Sequence, residues 1–136
     1  MTIVATARRR DGHVHDVEVS GHKFVVDEPE SAGGTNLGPS PTRLLAASLA
    51  SCTALTIEMY TDRKGWDLGD QFEVSAEFER GPRGECDHFA VTMMLPHGLS
   101  DDQMERIRKI AGKCPVHRTL ASEARIEIED RVEVRA

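Results

Sequence analysis

The chain has 136 residues, 39% of them apolar and 29% charged, with a formal net charge of −6. That balance fits one folded domain over residues 1–136 and excludes a disordered chain. The only basic run, Arg8-Arg9-Arg10, is followed at once by Asp11, so a nucleic-acid backbone is not the expected partner.

Residues 2–8 and 13–19 both alternate between apolar and polar, and Asp11-Gly12 lies between them. This predicts a hairpin. "HKFVVDEP" supplies a third strand, stopped by Pro29, and "ESAGGTNLGPSP" reads as a loop. Ser40 and Pro41 then open a long helix, with a capping hydroxyl followed by a proline at the first helical position. The helix is expected to run to Lys64 and stop at Gly65. Its middle, Leu44 to Leu55, carries no charge. A helix apolar all round is buried on all sides, so a partner subunit is expected to help cover it. Residues 71–80 and 89–96 read as strands. Ser100 with Gln103 forms a capping box for a second helix, whose apolar face is Met104, Ile107, Ala111 and Cys114. Pro115 forces a break or a fresh helical start. The alternating "ARIEIEDRVEV" closes the chain as one or two strands.

Aromatic residues make up only 4% of the chain, so the core is built from aliphatic side chains, and an oligomer is a natural way to gain buried area. No apolar stretch reaches the ~20 residues of a membrane span. The N-terminal "MTIVATARRR" lacks the pattern of a signal peptide. The expected location is the cytoplasm, with neither membrane nor nucleic acid as partner. In that reducing compartment Cys52, Cys86 and Cys114 are filler, metal ligands or reactive thiols.

Cys52 shares its helix face with Leu45, Ser48, Leu49, Leu55, Thr56 and Met59. Cys114 lies on the apolar face of the other helix. Two inward-facing thiols could meet, but a disulfide needs Cα atoms within about 7 Å, which spacing does not establish. Buried free cysteines are commonly inert. An apolar pocket raises a thiol's pKa, and Cys52 lies about three turns into its helix, beyond the reach of the dipole. A reactive Cys52 therefore needs a cation from elsewhere, most naturally an arginine.

The other candidates read more blandly. His117, three residues after Cys114, has metal-ligand spacing but no second Cys/His pair to join it. Cys52 with His117 has the residue types of a nucleophile and base, but no oxyanion-hole motif accompanies them. His13 and His15 share one face of a strand and read as an exposed pair. Cys86 sits in the polar turn "GECDH" and reads as exposed. No metal and no cofactor is expected.

Three segments in order, "DEPESAGGTNLGPSP", "RLLAASLASCTALTIEMYTDRKGW" and "LSDDQMERIRKIAGKCPVHRTL", resemble the OsmC/Ohr family of osmotically induced and organic hydroperoxide resistance proteins. The K-C-P-V-H wording is most similar to its OsmC-like redox branch. The resemblance implies an α+β fold, antiparallel sheets packed on long central helices, in an intertwined homodimer. It implies thiol-dependent reduction of organic hydroperoxides without metal or flavin. Cys52 then matches the peroxidatic cysteine and Cys114 the resolving one, and a dithiol, such as that of a lipoyl protein, resets the pair. The family also holds the thiolate with an arginine near the N-terminal hairpin, matched best by Arg10 with Arg8 and Arg9 as rivals. It aims that arginine with a glutamate ten residues before the cysteine. That position is Thr42 here, with Arg43 next to it, so Arg43 is an alternative cation and His117 a supporting group. The other reading is a non-catalytic homodimer that binds an apolar small ligand between helices, with inert cysteines.

Overall fold

The computed structural model describes residues 1–123 and 125–135. Strand β1 (Ala5–Asp11), β2 (Val14–Val19) and β3 (His22–Val26) form an antiparallel sheet in the order β1-β2-β3. Gly12 takes φ 53 as the first central residue of the β1–β2 turn, the conformation a tight hairpin demands there. Ser20 and Gly21 both take positive φ between β2 and β3, the pattern of a type I′ turn. The first strand starts at Ala5 rather than at residue 2, because Ala5 opposite Val19 is the last pair of the ladder. The third ends at Val26, short of Pro29: the next amide, of Asp27, donates to the Pro39 carbonyl instead.

A 3-10 turn at Glu30–Ala32 leads to helix α1 (Pro41–Lys64). Its end has the predicted glycine. Gly65 adopts φ 72, its amide donates to Asp62, and the Trp66 amide donates to Thr61. This is a Schellman motif, which satisfies two of the last free carbonyls. Strands β4 (Glu73–Arg80) and β5 (Cys86–Met94) pair as a second sheet, and helices α2 (Asp101–Ala111) and α3 (Pro115–Leu120) follow. The molecule is of the α+β class.

Contacts divide the chain into two compact units, Met1–Ala47 with Glu77–Ala90 and Ser48–Ala76 with Val91–Ala136. The first holds the three-stranded sheet and buries Val14, Asp27, Ser40 and Ala46. The second has an apolar core of Ile57, Leu68, Ile107 and Ala111, with Trp66, Phe72 and Met93 packed against it. Burying an isoleucine as completely as Ile57 and Ile107 contributes about 1.5–3 kcal/mol each. The capping box of α2 forms as expected, with the Gln103 amide on Ser100 Oγ at 3.0 Å and the Ser100 amide on Gln103 Oε1 at 2.8 Å.

Five expectations are corrected. Cys114 does not lie on α2, which ends at Ala111. Gly112 and Lys113 turn the chain, and Pro115 starts α3 with Cys114 as its N-cap. Met104 on α2 is 38% exposed, outside the buried face of Ile107 and Ala111. Cys86 is not in a turn: the turn closes at Gly84, whose amide donates to Gly81, and the half-buried Cys86 begins β5. Residues 125–135 lie in no strand, and Ile126, Ile128, Val132 and Val134 are exposed. A strand needs a ladder partner, and none stands beside them among the described residues. Ala124 of that expected strand lies outside the described residues. By length and composition α1 could cross a membrane, contrary to the sequence reading. Its Leu49, Thr53, Ile57 and Thr61 are buried in the protein.

Candidate thiol site

Leu49, Thr53, Ile57 and Thr61 recur at helical spacing and are buried, so they fix which way α1 faces. Cys52 sits at the edge of that face and is half-buried. Cys114 is brought there from the other end of the second unit, by the turn that follows α2. It is 0% exposed. The Cys114 thiol lies close enough to act on the Cys52 thiol, and both are free.

The segment Cys114-Pro115-Val116-His117 shows why a short helix start suits this place. Proline at the first helical position gives up an amide that would have been unpaired. The His117 N–H donates to Cys114 Sγ at 3.4 Å, and the Val116 amide lies close enough to Cys52 to favour its ionised form. The Thr56 hydroxyl, one turn after Cys52, also acts on the Cys52 thiol.

These groups act on the Cys52 thiol in opposite directions. Burial pushes its pKa up, and the adjoining Cys114 thiol adds to that; the Val116 amide and the Thr56 hydroxyl offset part of the rise. The balance leaves it raised, so the resting group is a thiol. The sequence called for a cation here, and none is among the groups that shift Cys52.

The predicted arginines belong to the first unit. Arg10 Nε donates to Asp16 Oδ2 at 3.1 Å, and its Nη2 donates to Asp16 Oδ1. The pair is bidentate; it raises the arginine's pKa and lowers the carboxyl's. Arg10 thus has a carboxylate to aim it, from β2 rather than from α1. Arg8 pairs more loosely with Glu18 at 3.8 Å, and Arg9 Nε donates to the Gly12 carbonyl. Thr42, at the position of the family glutamate, accepts from Arg80 Nη2 at 3.0 Å. Arg43 Nη1 donates to Ser40 Oγ at 2.8 Å. His13 lies in the β1–β2 turn rather than on a strand, and the His15 ring engages its carbonyl at 2.9 Å. Among the described residues no three His, Cys, Asp or Glu side chains gather as metal ligands would.

Sequence reasoning passed over Asp16, Arg80, Val116 and Asp27, while Thr56 was already placed on the Cys52 face. Asp27 is 1% exposed, and its carboxylate accepts from the amides of Glu28, Thr35 and Leu37 and from the Thr35 hydroxyl. Those bonds, the hydroxyl's first, lower its pKa to about 2. Asp27 thereby ties down the glycine-rich loop before α1. An aspartate at the mouth of a Gly/Ser/Asn loop was the available signal. A Cβ on Gly34 would stand 2.0 Å from the Glu28 carbonyl oxygen, and one on Gly38 2.1 Å from that of Val25. Those glycines serve close backbone approach.

The model of the family described as OsmC-like protein matches residues 33–129. Among solved structures, the chain resembles an OsmC-like protein from Mycoplasma pneumoniae with TM-score 0.76 at 16% identity, over 89% of this chain and 88% of that one. It resembles an organic hydroperoxide resistance protein from Legionella pneumophila with TM-score 0.61 at 23% identity, over 88% and 89%. A third is the organic hydroperoxide resistance protein OhrB of Bacillus subtilis, with TM-score 0.57 at 21% identity over 88% and 90%. At these identities the likeness is one of fold. No curated protein matches the sequence.

Proposed function

The chain belongs to the OsmC-like protein family, and on that premise we propose that it reduces organic hydroperoxides with the thiols of Cys52 and Cys114. The observation that carries this reading is their proximity: Cys52 is half-buried, Cys114 is fully buried and accepts from the His117 amide, and the Cys114 thiol lies close enough to act on that of Cys52. Cys52, the more accessible, attacks the outer peroxide oxygen as thiolate. The O–O bond breaks, an alcohol departs, and Cys52 is left as sulfenic acid. Cys114 attacks that sulfur, the S–O bond breaks, water leaves, and a disulfide remains. An external dithiol, of the lipoyl type, restores both thiols. The name borne by two of the structural neighbours agrees with a peroxide-related role.

Arg10, aimed by Asp16, is the cation we assign to the thiolate, and Arg43 is its alternate. A homodimer completes the reading. Leu55 and Met59 on α1 are 53% and 62% exposed, and the alternating apolar residues after Arg125 are bare; a second copy of the chain is the occupant proposed for these surfaces. The deciding experiment adds one equivalent of cumene hydroperoxide to the reduced protein, followed by rapid blocking and mass spectrometry. A Cys52–Cys114 disulfide formed within seconds is the expected result. Two free thiols beside unconsumed hydroperoxide would overturn the reading. One observation favours the alternative of a ligand-binding dimer with inert cysteines: the raised pKa of a Cys52 on which no cation acts.

A further inference from the structure

A thiol must lose its proton before its sulfur can attack another sulfur. Cys52 is half-buried, and its proton can leave to solvent. Cys114 is 0% exposed, so its proton has to pass to a group inside the protein. The His117 amide that bonds the Cys114 sulfur is a donor and cannot take it. The side chain of the same residue can. His117 Nδ1 is buried and has no hydrogen-bond partner among the described residues; Thr53 Oγ1, on the residue after Cys52, is the other side-chain atom of which this holds. Leaving a buried polar atom unpaired costs stability, and a native protein that keeps one commonly has a use for it. The ring belongs to the residue whose backbone amide donates to that sulfur at 3.4 Å, and a side-chain rotation is all that separates Nδ1 from it. A neutral imidazole protonated at Nε2 presents Nδ1 as an acceptor.

We infer that His117 is the proton carrier of Cys114, taking the thiol proton when that sulfur attacks and delivering it to the group that leaves Cys52. Its place in the catalytic cycle rests on the peroxidase reading; its chemistry holds for any attack by Cys114 on an oxidised Cys52. In the cycle, the Cys114 S–H bond breaks and the proton goes to His117 Nδ1. The electron pair left on sulfur forms the S–S bond. The Cys52 S–O bond breaks, and the departing oxygen takes the proton from His117 and leaves as water. That oxygen takes the S–O bonding pair; the Cys114 sulfur is oxidised and the Cys52 sulfur reduced, both to the disulfide level.

The test needs no hydroperoxide. In a Cys86→Ser background, Cys52 is converted to a mixed disulfide with a dithiobis-nitrobenzoate reagent, and release of the second aryl thiol reports attack by Cys114. His117→Asn places an amide oxygen near the Nδ1 position without a base, and slows that release by about a hundredfold or more. His117→Ala slows it likewise, and added imidazole restores it. Release at the unmodified rate in either variant overturns the inference. So does slow release from the alanine variant that imidazole leaves unchanged, which marks a structural role. If the protein ignores hydroperoxides yet shows this dependence on His117, the peroxidase reading alone fails.

Discussion

Arg80 on β4 donates to the hydroxyl of Thr42 on α1 at 3.0 Å, across 38 positions of sequence. This is the place where the family resemblance calls for a carboxylate, so a hydroxyl with an arginine of its own now occupies it. A hydrogen bond from a solvent-exposed guanidinium to a neutral hydroxyl contributes about 1 kcal/mol or less, because water screens the charge. Arg80→Ala is expected to lower stability by no more than that, and Thr42→Glu to raise it by a few tenths to about 1 kcal/mol through an exposed ion pair. Urea midpoints with unchanged slopes check both.

Removal of either thiol separates the two steps of the proposed cycle. Cys52→Ser is expected to abolish hydroperoxide consumption, and full activity in that variant would end the peroxidase reading. Cys114→Ser is expected to stop without turning over, after one equivalent with Cys52 as sulfenic acid or after two with Cys52 as sulfinic acid by mass spectrometry.

The Arg10–Asp16 pair is open to a pH experiment. If Arg10 supports the thiolate, Arg10→Ala removes a cation that favours ionised sulfur, and alkylation of Cys52 then needs higher pH. Asp16→Asn, which frees the guanidinium from its bidentate partner, shifts the profile in the same direction by less. An unchanged alkylation profile in Arg10→Ala removes that residue from the mechanism.

Asp27 gives the acid limb of stability. Its folded pKa is lowered to about 2 from 3.8. A depressed carboxyl contributes stability that is fully present above the unfolded value and is lost as pH falls toward the folded one. Stability measured between about pH 4 and 2 is expected to fall in the native chain. In Asp27→Asn the fall is shallower, and the protein is less stable at neutral pH, because an amide replaces an acceptor of four hydrogen bonds.

Gly38 tests the packing of the loop before α1. Gly38→Ala puts a Cβ 2.1 Å from the Val25 carbonyl oxygen, and a backbone atom cannot move aside as a flexible side chain does. A loss of about 1–3 kcal/mol is expected in chemical denaturation. Gly84→Ala meets nothing within 4 Å and differs by carrying a positive φ of 82; its cost is that of the left-handed backbone, about 1–2 kcal/mol.

What the sequence by itself determined is local. Pro41, Gly65, Ser100 with Gln103, and Pro115 set the helix ends, because a missing amide, a tolerated positive φ and a capping hydroxyl act within a few residues. Alternation marked β1, β2 and β4, and Cys52 and Cys114 were singled out by the pattern around them. Only the tertiary structure decided what reaches across the chain. It moved Cys114 off α2 to the start of α3, where its sulfur accepts from the His117 amide and the Val116 amide lies close to Cys52. It gave Arg10 its carboxylate from β2, Thr42 its guanidinium from β4, and Asp27 its partners in the loop. Residues 125–135 show the same boundary from the other side: their alternation is plain in sequence, yet they form no strand without a ladder partner. Hydrogen-bond partners distant in sequence are chosen by packing, and no local pattern records which they are.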